Sequence, residues 1–179
     1  MDAPYQAAPD VHVLPTSLPL PGTGVVLPIN AYVLLADEPV LVDAGIGIDS
    51  DEFLDALTSI VDLNALRWVW LTHDDADHTG SIQRVLEAAP HARLVTNAFS
   101  ALRMATWWPV PFDRVHAVRA GDRLPVGDRT LLAVSPPLFD SPLSIGLLDE
   151  ATGSLFSVDS FGALLPDRPG TPPKCPTTL

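Results

Sequence analysis

This chain has one cysteine, Cys175, one lysine, Lys174, and no unbroken apolar run long enough to span a membrane. A single thiol excludes an internal disulfide framework, so the fold must be held by its core. The best candidate for a span, Val25 to Ala36, is interrupted by Pro28 and Asn30. It falls short of the roughly 18 apolar residues a spanning helix needs, and no membrane partner is expected. Basic residues are scarce: ten Lys plus Arg against 22 Asp plus Glu leave a formal charge of -12. A phosphate backbone would be repelled by such a surface, which argues against nucleic acid as a partner. The opening MDAPYQAAPD lacks the basic start and apolar segment of a secretory signal, so a cytoplasmic location is the expectation. Neither G-x-G-x-x-G nor a P-loop is present, so no flavin or nucleotide domain is expected on this chain.

What is present is a hydrophobic chain, 47% apolar over 179 residues. At that length roughly 68–70% of the unfolded surface can be buried, enough for one domain with a real core. Residues 11–43 (VHVL, GVVLPI, NAYVLLA, PVLVDAG) are rich in Val, Leu and Ile and read as consecutive strands. Phe53, Leu54, Leu57, Ile60 and Val61 then fall at helical spacing, and Asp49 with Glu52 forms a capping-box pattern, which predicts a helix over about 50–63. RWVWLT reads as a buried strand, and Ile82, Val85, Leu86 and Ala89 mark one face of a helix. RLVTN, VHAVRA, TLLAVSP, LSIGLLD and SLFSVD add strands, AFSALRMAT adds a short helix, and DEATG turns between the last two strands. The alternation predicts an α/β or α+β domain over residues 1–165. The remaining 14 residues, PDRPGTPPKCPTTL, carry five prolines and no periodicity, and residues 166–179 read as an unstructured tail.

The chemistry concentrates in LTHDDADHTG. His73, Asp75, Asp77 and His78 bring two imidazoles and two carboxylates to a loop between a strand end and a helix start, with Asp74 and Ala76 as spacers. Alternate side chains on such a loop can converge on one point, two ligands for each of two neighbouring metals. An acidic turn capping the next helix is the plainer alternative.

These residues resemble the metallo-β-lactamase fold superfamily, whose signature is H-x-[HED]-x-D-H after a strand and before a helix. LVDAG at 41–45 and LFSVDSFG at 155–162 resemble two further motifs of that superfamily, in the right order, and the likeness runs over about residues 10–165. It implies an αββα sandwich and a dinuclear metal site. In that site Asp159 bridges the two ions, Asp77 and His78 hold one, and Asp43 supports the ligands from behind. His73 and Asp75 hold the other ion, with Asp140 as third ligand in place of the usual histidine, 19 residues before Asp159. The same resemblance makes Asp77 the candidate catalytic carboxylate as well as a ligand.

Two departures refine the expectation. Asp75 stands where hydrolytic members mostly carry histidine, and this acidic position, like LFSVDSFG, is closest to the flavodiiron-type, oxygen-binding branch. Four carboxylates, Asp75, Asp77, Asp140 and Asp159, favour iron or manganese over zinc as the two divalent ions, because hard cations prefer oxygen ligands, and the resemblance implies iron ahead of manganese. Anionic ligands also weaken Lewis acidity and with it hydrolysis. The resemblance therefore implies an oxidoreductase that binds or reduces dioxygen or nitric oxide as its small-molecule substrate, with electrons delivered by a separate flavin or iron–sulfur partner. A zinc-dependent hydrolase of an ester, thioester or lactam is the alternative, and a non-catalytic fragment or sensor a third reading. The family's last histidine ligand has no counterpart here. The second half of the sandwich is therefore expected to be incomplete, with the sequence truncated at its carboxyl end. The oligomeric state is left open.

Overall fold

The computed structural model describes residues 1–48, 50–138 and 140–167. Four strands come first: β1 (Tyr5–Ala8), β2 (Val11–Leu20), β3 (Val25–Leu34) and β4 (Val40–Val42). Alternation follows, with α1 (Ser50–Thr58), β5 (Trp68–Trp70), α2 (Ala76–Thr79), α3 (Ile82–Ala88), β6 (Arg93–Thr96), α4 (Ala98–Met104), a 3-10 turn (Phe112–Arg114) and β7 (Val115–Ala117). The polypeptide then returns to strands, β8 (Arg123–Pro125), β9 (Thr130–Val134), β10 (Gly146–Asp149), β11 (Leu155–Phe156) and β12 (Leu165–Pro166).

The first sheet runs β1-β2-β3-β4-β5-β6-β7, with β12 paired to the opposite end of β3, and the second runs β11-β10-β9-β8. Pairing is antiparallel up to β4 and parallel from β4 to β7. That switch follows from the connections: hairpins join β1 to β4, whereas parallel neighbours need crossovers, supplied by α1, α3 and α4.

Because side chains alternate across a strand, each short central strand serves two cores. Leu41, Val69 and Leu94 face one cluster with Phe53 and Leu57 of α1, Val85 and Leu86 of α3, and Met104 of α4. Val40, Val42, Trp70 and Val95 face the other, against Leu131, Ala133, Leu147 and Phe156 of the second sheet. The described residues thus form three layers, helices on sheet on sheet, in line with the α/β arrangement expected from the sequence.

Several boundaries differ from expectation. The first helix ends at Thr58, and the Ile60 and Val61 amides both turn back to the Leu57 carbonyl. Its proposed cap, Asp49, lies outside the described residues, as does the proline-rich segment from residue 168 onward. Leu165 and Pro166 pair with Val26 and Val25, so ordered pairing runs one residue past the domain limit drawn from composition. No helix among the described residues is long and apolar enough to cross a membrane.

Candidate metal centre

Two loops at the carboxyl ends of adjacent parallel strands build the site. Asp43 follows β4 with a positive φ of 61°, uncommon for a residue with a Cβ, and its amide donates to the Trp70 carbonyl at 2.8 Å. The loop after β5 begins at Leu71 and carries Thr72 and His73. The Asp43 carboxylate accepts from the Thr72 amide at 2.8 Å, from the Thr72 hydroxyl at 2.9 and 3.0 Å, and meets His78 Nδ1 at 2.9 Å. With Thr72 already donating twice, Asp43 accepts from the ring as well, which places a proton on His78 Nδ1 and turns Nε2 toward the site.

The backbone makes the same join. Ala44 N–H donates to the His78 carbonyl, Gly80 N–H to the Gly45 carbonyl and Ser81 N–H to the Ala44 carbonyl, at 2.8, 2.8 and 3.0 Å. Gly80 passes so close to Gly47 that any Cβ would collide with the Gly47 backbone. That close approach is the reason glycine ends the HDDADHTG segment.

Asp159 arrives from the segment after β11, preceded by Val158 at φ 57°. Its Oδ1 lies 3.1 Å from His78 Nε2 and its Oδ2 3.6 Å from His73 Nε2. One carboxylate therefore faces two buried imidazoles whose ring centroids are 4.0 Å apart. Donor atoms of His73, His78 and Asp159 lie within 4.8 Å of one another. Asp75 Oδ2 reaches 3.6 Å from His73 Nε2, and Asp77 Oδ2 3.6 Å from His78 Nε2.

The electrostatics are strongly coupled. Burial disfavours a charged His78, but the Asp43 carboxylate and Asp159 outweigh it and push the imidazole up to about 11. In return, the His78 hydrogen bond holds Asp159 below the usual carboxylate range against the opposing effect of its half-burial. His73 Nε2 differs: it is buried with no hydrogen-bond partner, although two carboxylate oxygens stand 3.6 Å away. Buried polar atoms are rarely left so, and the spacing leaves room for an ion between nitrogen and oxygens. The donor set, imidazole nitrogens interleaved with carboxylates, fits a transition metal.

Of the residues singled out from the sequence, His73, Asp75, Asp77, His78 and Asp159 come together and Asp43 stands behind them. Asp140 does not join them. It is exposed in the turn before β10, its Oδ2 accepts from Ser144 Oγ at 3.3 Å, and it lies outside the 4.8 Å donor group. Thr72, which orients Asp43, was not singled out, because a threonine at a strand end carries no distinctive pattern. Trp108 is buried in the helical core while Trp107 is exposed and lines a hollow with Ile46 and Ala76. A cavity of about 900 Å³ opens beside Asp43, Asp77, His78 and Asp159, walled by Tyr32 and Phe156 among other apolar side chains.

Comparison with known proteins agrees with this architecture. Diflavin flavoprotein A 1 of Synechocystis sp. is 30% identical over 134 residues, 74% of this chain and 23% of that protein. Anaerobic nitric oxide reductase flavorubredoxin of Enterobacter sp. is 29% identical over 136 residues, 74% of this chain and 28% of that protein. The chain thus spans about a quarter of the length of these curated relatives. The flavodiiron protein from Giardia intestinalis superposes with a TM-score of 0.78 over 90% of this chain and 41% of that one, at 19% identity, a likeness of fold. The family model described as ODP family beta lactamase matches residues 27–172, and this chain belongs to that family.

Proposed function

We propose that this chain is the metal-binding part of an oxidoreductase, holding two iron ions that bind or reduce dioxygen or nitric oxide. The carrying observation is the carboxylate of Asp75, 3.6 Å from the unpartnered Nε2 of His73 in a donor set otherwise shared between Asp77, His78 and Asp159. His73, Asp75 and Asp159 would hold one ion, and Asp77, His78 and Asp159 the other. Bound iron would supply the redox chemistry and the open coordination positions for a diatomic ligand.

The protein's own residues do the arranging. Asp43 aims His78 Nε2 inward and would balance the positive character of a ligating ring. Asp159, with Oδ1 3.1 Å from His78 Nε2 and Oδ2 3.6 Å from His73 Nε2, would contribute to both halves of the site. The adjoining cavity, walled in part by Tyr32 and Phe156, would give a small substrate access to the site. Electrons would come from a separate flavin or iron–sulfur donor, in a cytoplasmic setting. The flavodiiron and nitric oxide reductase names among the relatives support this reading over hydrolysis.

The test is anaerobic loading with ferrous iron, chemical reduction and exposure to dioxygen or nitric oxide. Consumption of either gas that is lost in Asp75→Ala supports the proposal. Cleavage of a generic ester or thioester by the zinc-loaded protein, without gas consumption by the iron form, would replace it with a hydrolase.

A further inference from the structure

We propose that Asp74, on the far side of the ligand loop, is the positioning residue that ties this loop to helix α4 through Ser100 and Arg103 and so sets the affinity of the metal centre. The inference rests on the metal-centre reading above. His73, Asp75 and Asp77 turn toward the donor group, while Asp74, between the first two, turns back. Its side chain is only 4% exposed, against 59% for the neighbouring Asp75.

Each Asp74 oxygen has its own partner. Ser100 Oγ donates to Oδ1 at 3.1 Å, and Arg103 Nε forms an ion pair with Oδ2 at 3.0 Å. Ser100 and Arg103 stand three residues apart on α4 and so share one face of the helix. Ser100 is fully buried, and the start of α4 is held by the Asn97 side chain, which accepts from the Phe99 amide at 2.8 Å. The clamp therefore joins the loop after β5 to the helix after β6.

Its use follows from charge. Asp74, Asp75 and Asp77 crowd three carboxylates into one short loop, with Asp159 opposite, and without a metal these repel one another. Arg103 neutralises the one carboxylate that does not face the donor group and holds the loop closed against that repulsion. A loop ordered in advance takes up its ion without a further ordering cost.

The test is titration of the whole chain with Mn(II), for wild type, Asp74→Ala, Arg103→Ala and the double variant. Arg103 is 59% exposed, so Arg103→Ala keeps the test valid if the Asp74 variant does not fold. Each single variant is expected to bind about 10–100-fold more weakly, as loss of groups supporting ligands does. The double variant should be no weaker than the weaker single, because both break the same link. A clamp that served the fold alone would lower the melting temperature of the metal-free protein and leave the affinity unchanged. Affinities within about twofold of wild type, or losses that multiply in the double variant, would overturn the inference. A wild type that takes up no Mn(II) would instead remove the metal-centre reading itself, and this inference with it.

Discussion

Asp43 and His78 are locked at 2.9 Å, carboxylate to Nδ1, across the join of two strand-end loops, so the ring that faces the site is oriented by a residue that does not face it. Asp43→Asn keeps the shape but loses the charge opposite the ring. We expect it to fold and to bind metal about 10–100-fold more weakly, read by competition with a chromophoric chelator. Asp43→Ala leaves the buried Thr72 and His78 donors unpaired, and a loss of roughly 3–5 kcal/mol in urea unfolding is expected.

Metal should stabilise the fold, because it binds the assembled donors and not the unfolded polypeptide. At a hundredfold excess over Kd the gain is about 2.7 kcal/mol. For a protein of this size that is a rise in melting temperature of roughly 5–10 °C. Scanning calorimetry with and without Mn(II) checks this, and the rise should shrink in Asp75→Ala and Asp159→Ala.

Arg129 forms an ionic link between the two sheets. Its guanidinium, 7% exposed, contacts Asp10 beyond β1, Asp128 beside it and fully buried Asp149 of β10. Arg129→Met keeps the volume but strands Asp149 without its cation. A loss of about 3–5 kcal/mol is expected from chemical denaturation.

The same cluster gives a pH signature. The hydrogen bond from Arg129, with the Asp37 amide, holds Asp128 down to about 2 in the folded protein, below its ordinary 3.8. A depressed carboxylate contributes stability above its unfolded value and loses it as pH falls toward the folded one. Asp128→Asn should therefore melt below wild type at neutral pH, and the difference should close between pH 4 and 2. Because Asp128 is 40% exposed, solvent screening keeps the difference small.

Val158 precedes Asp159 with φ 57°, a conformation that costs a β-branched residue about 1–3 kcal/mol. Val158→Gly should relieve that strain and leave the metal-free protein as stable or up to roughly 1 kcal/mol more stable, despite the entropic cost of glycine. Its metal affinity should fall, since Asp159 is then less firmly aimed. Paired urea unfolding and Mn(II) titration measure both.

Much of this was legible in the sequence, for physical reasons that differ by segment. Val40, Leu41 and Val42, or Val69 and Trp70, read as buried strands because each must satisfy a core on both faces, and both cores are there. The HDDADH loop was legible because ligand chemistry demands those residue types at close spacing. β1, β8 and β12 were not foreseen: each is only two to four residues long, with too few positions to show a period. The placement of Asp140 came from counting back from Asp159, and count alone does not determine which way a Ser/Pro turn presents its side chain. Asp74 read as a spacer because its partners, Ser100 and Arg103, lie 26 and 29 positions away. Only the fold brings them together.

The decisive experiment for a di-iron centre is metal identity and stoichiometry by mass spectrometry, on protein purified without chelators or affinity metals. We expect iron, at about one to two equivalents, lost on Asp75→Ala. Zinc in its place, or less than roughly 0.2 equivalents of any metal, would refute the di-iron reading.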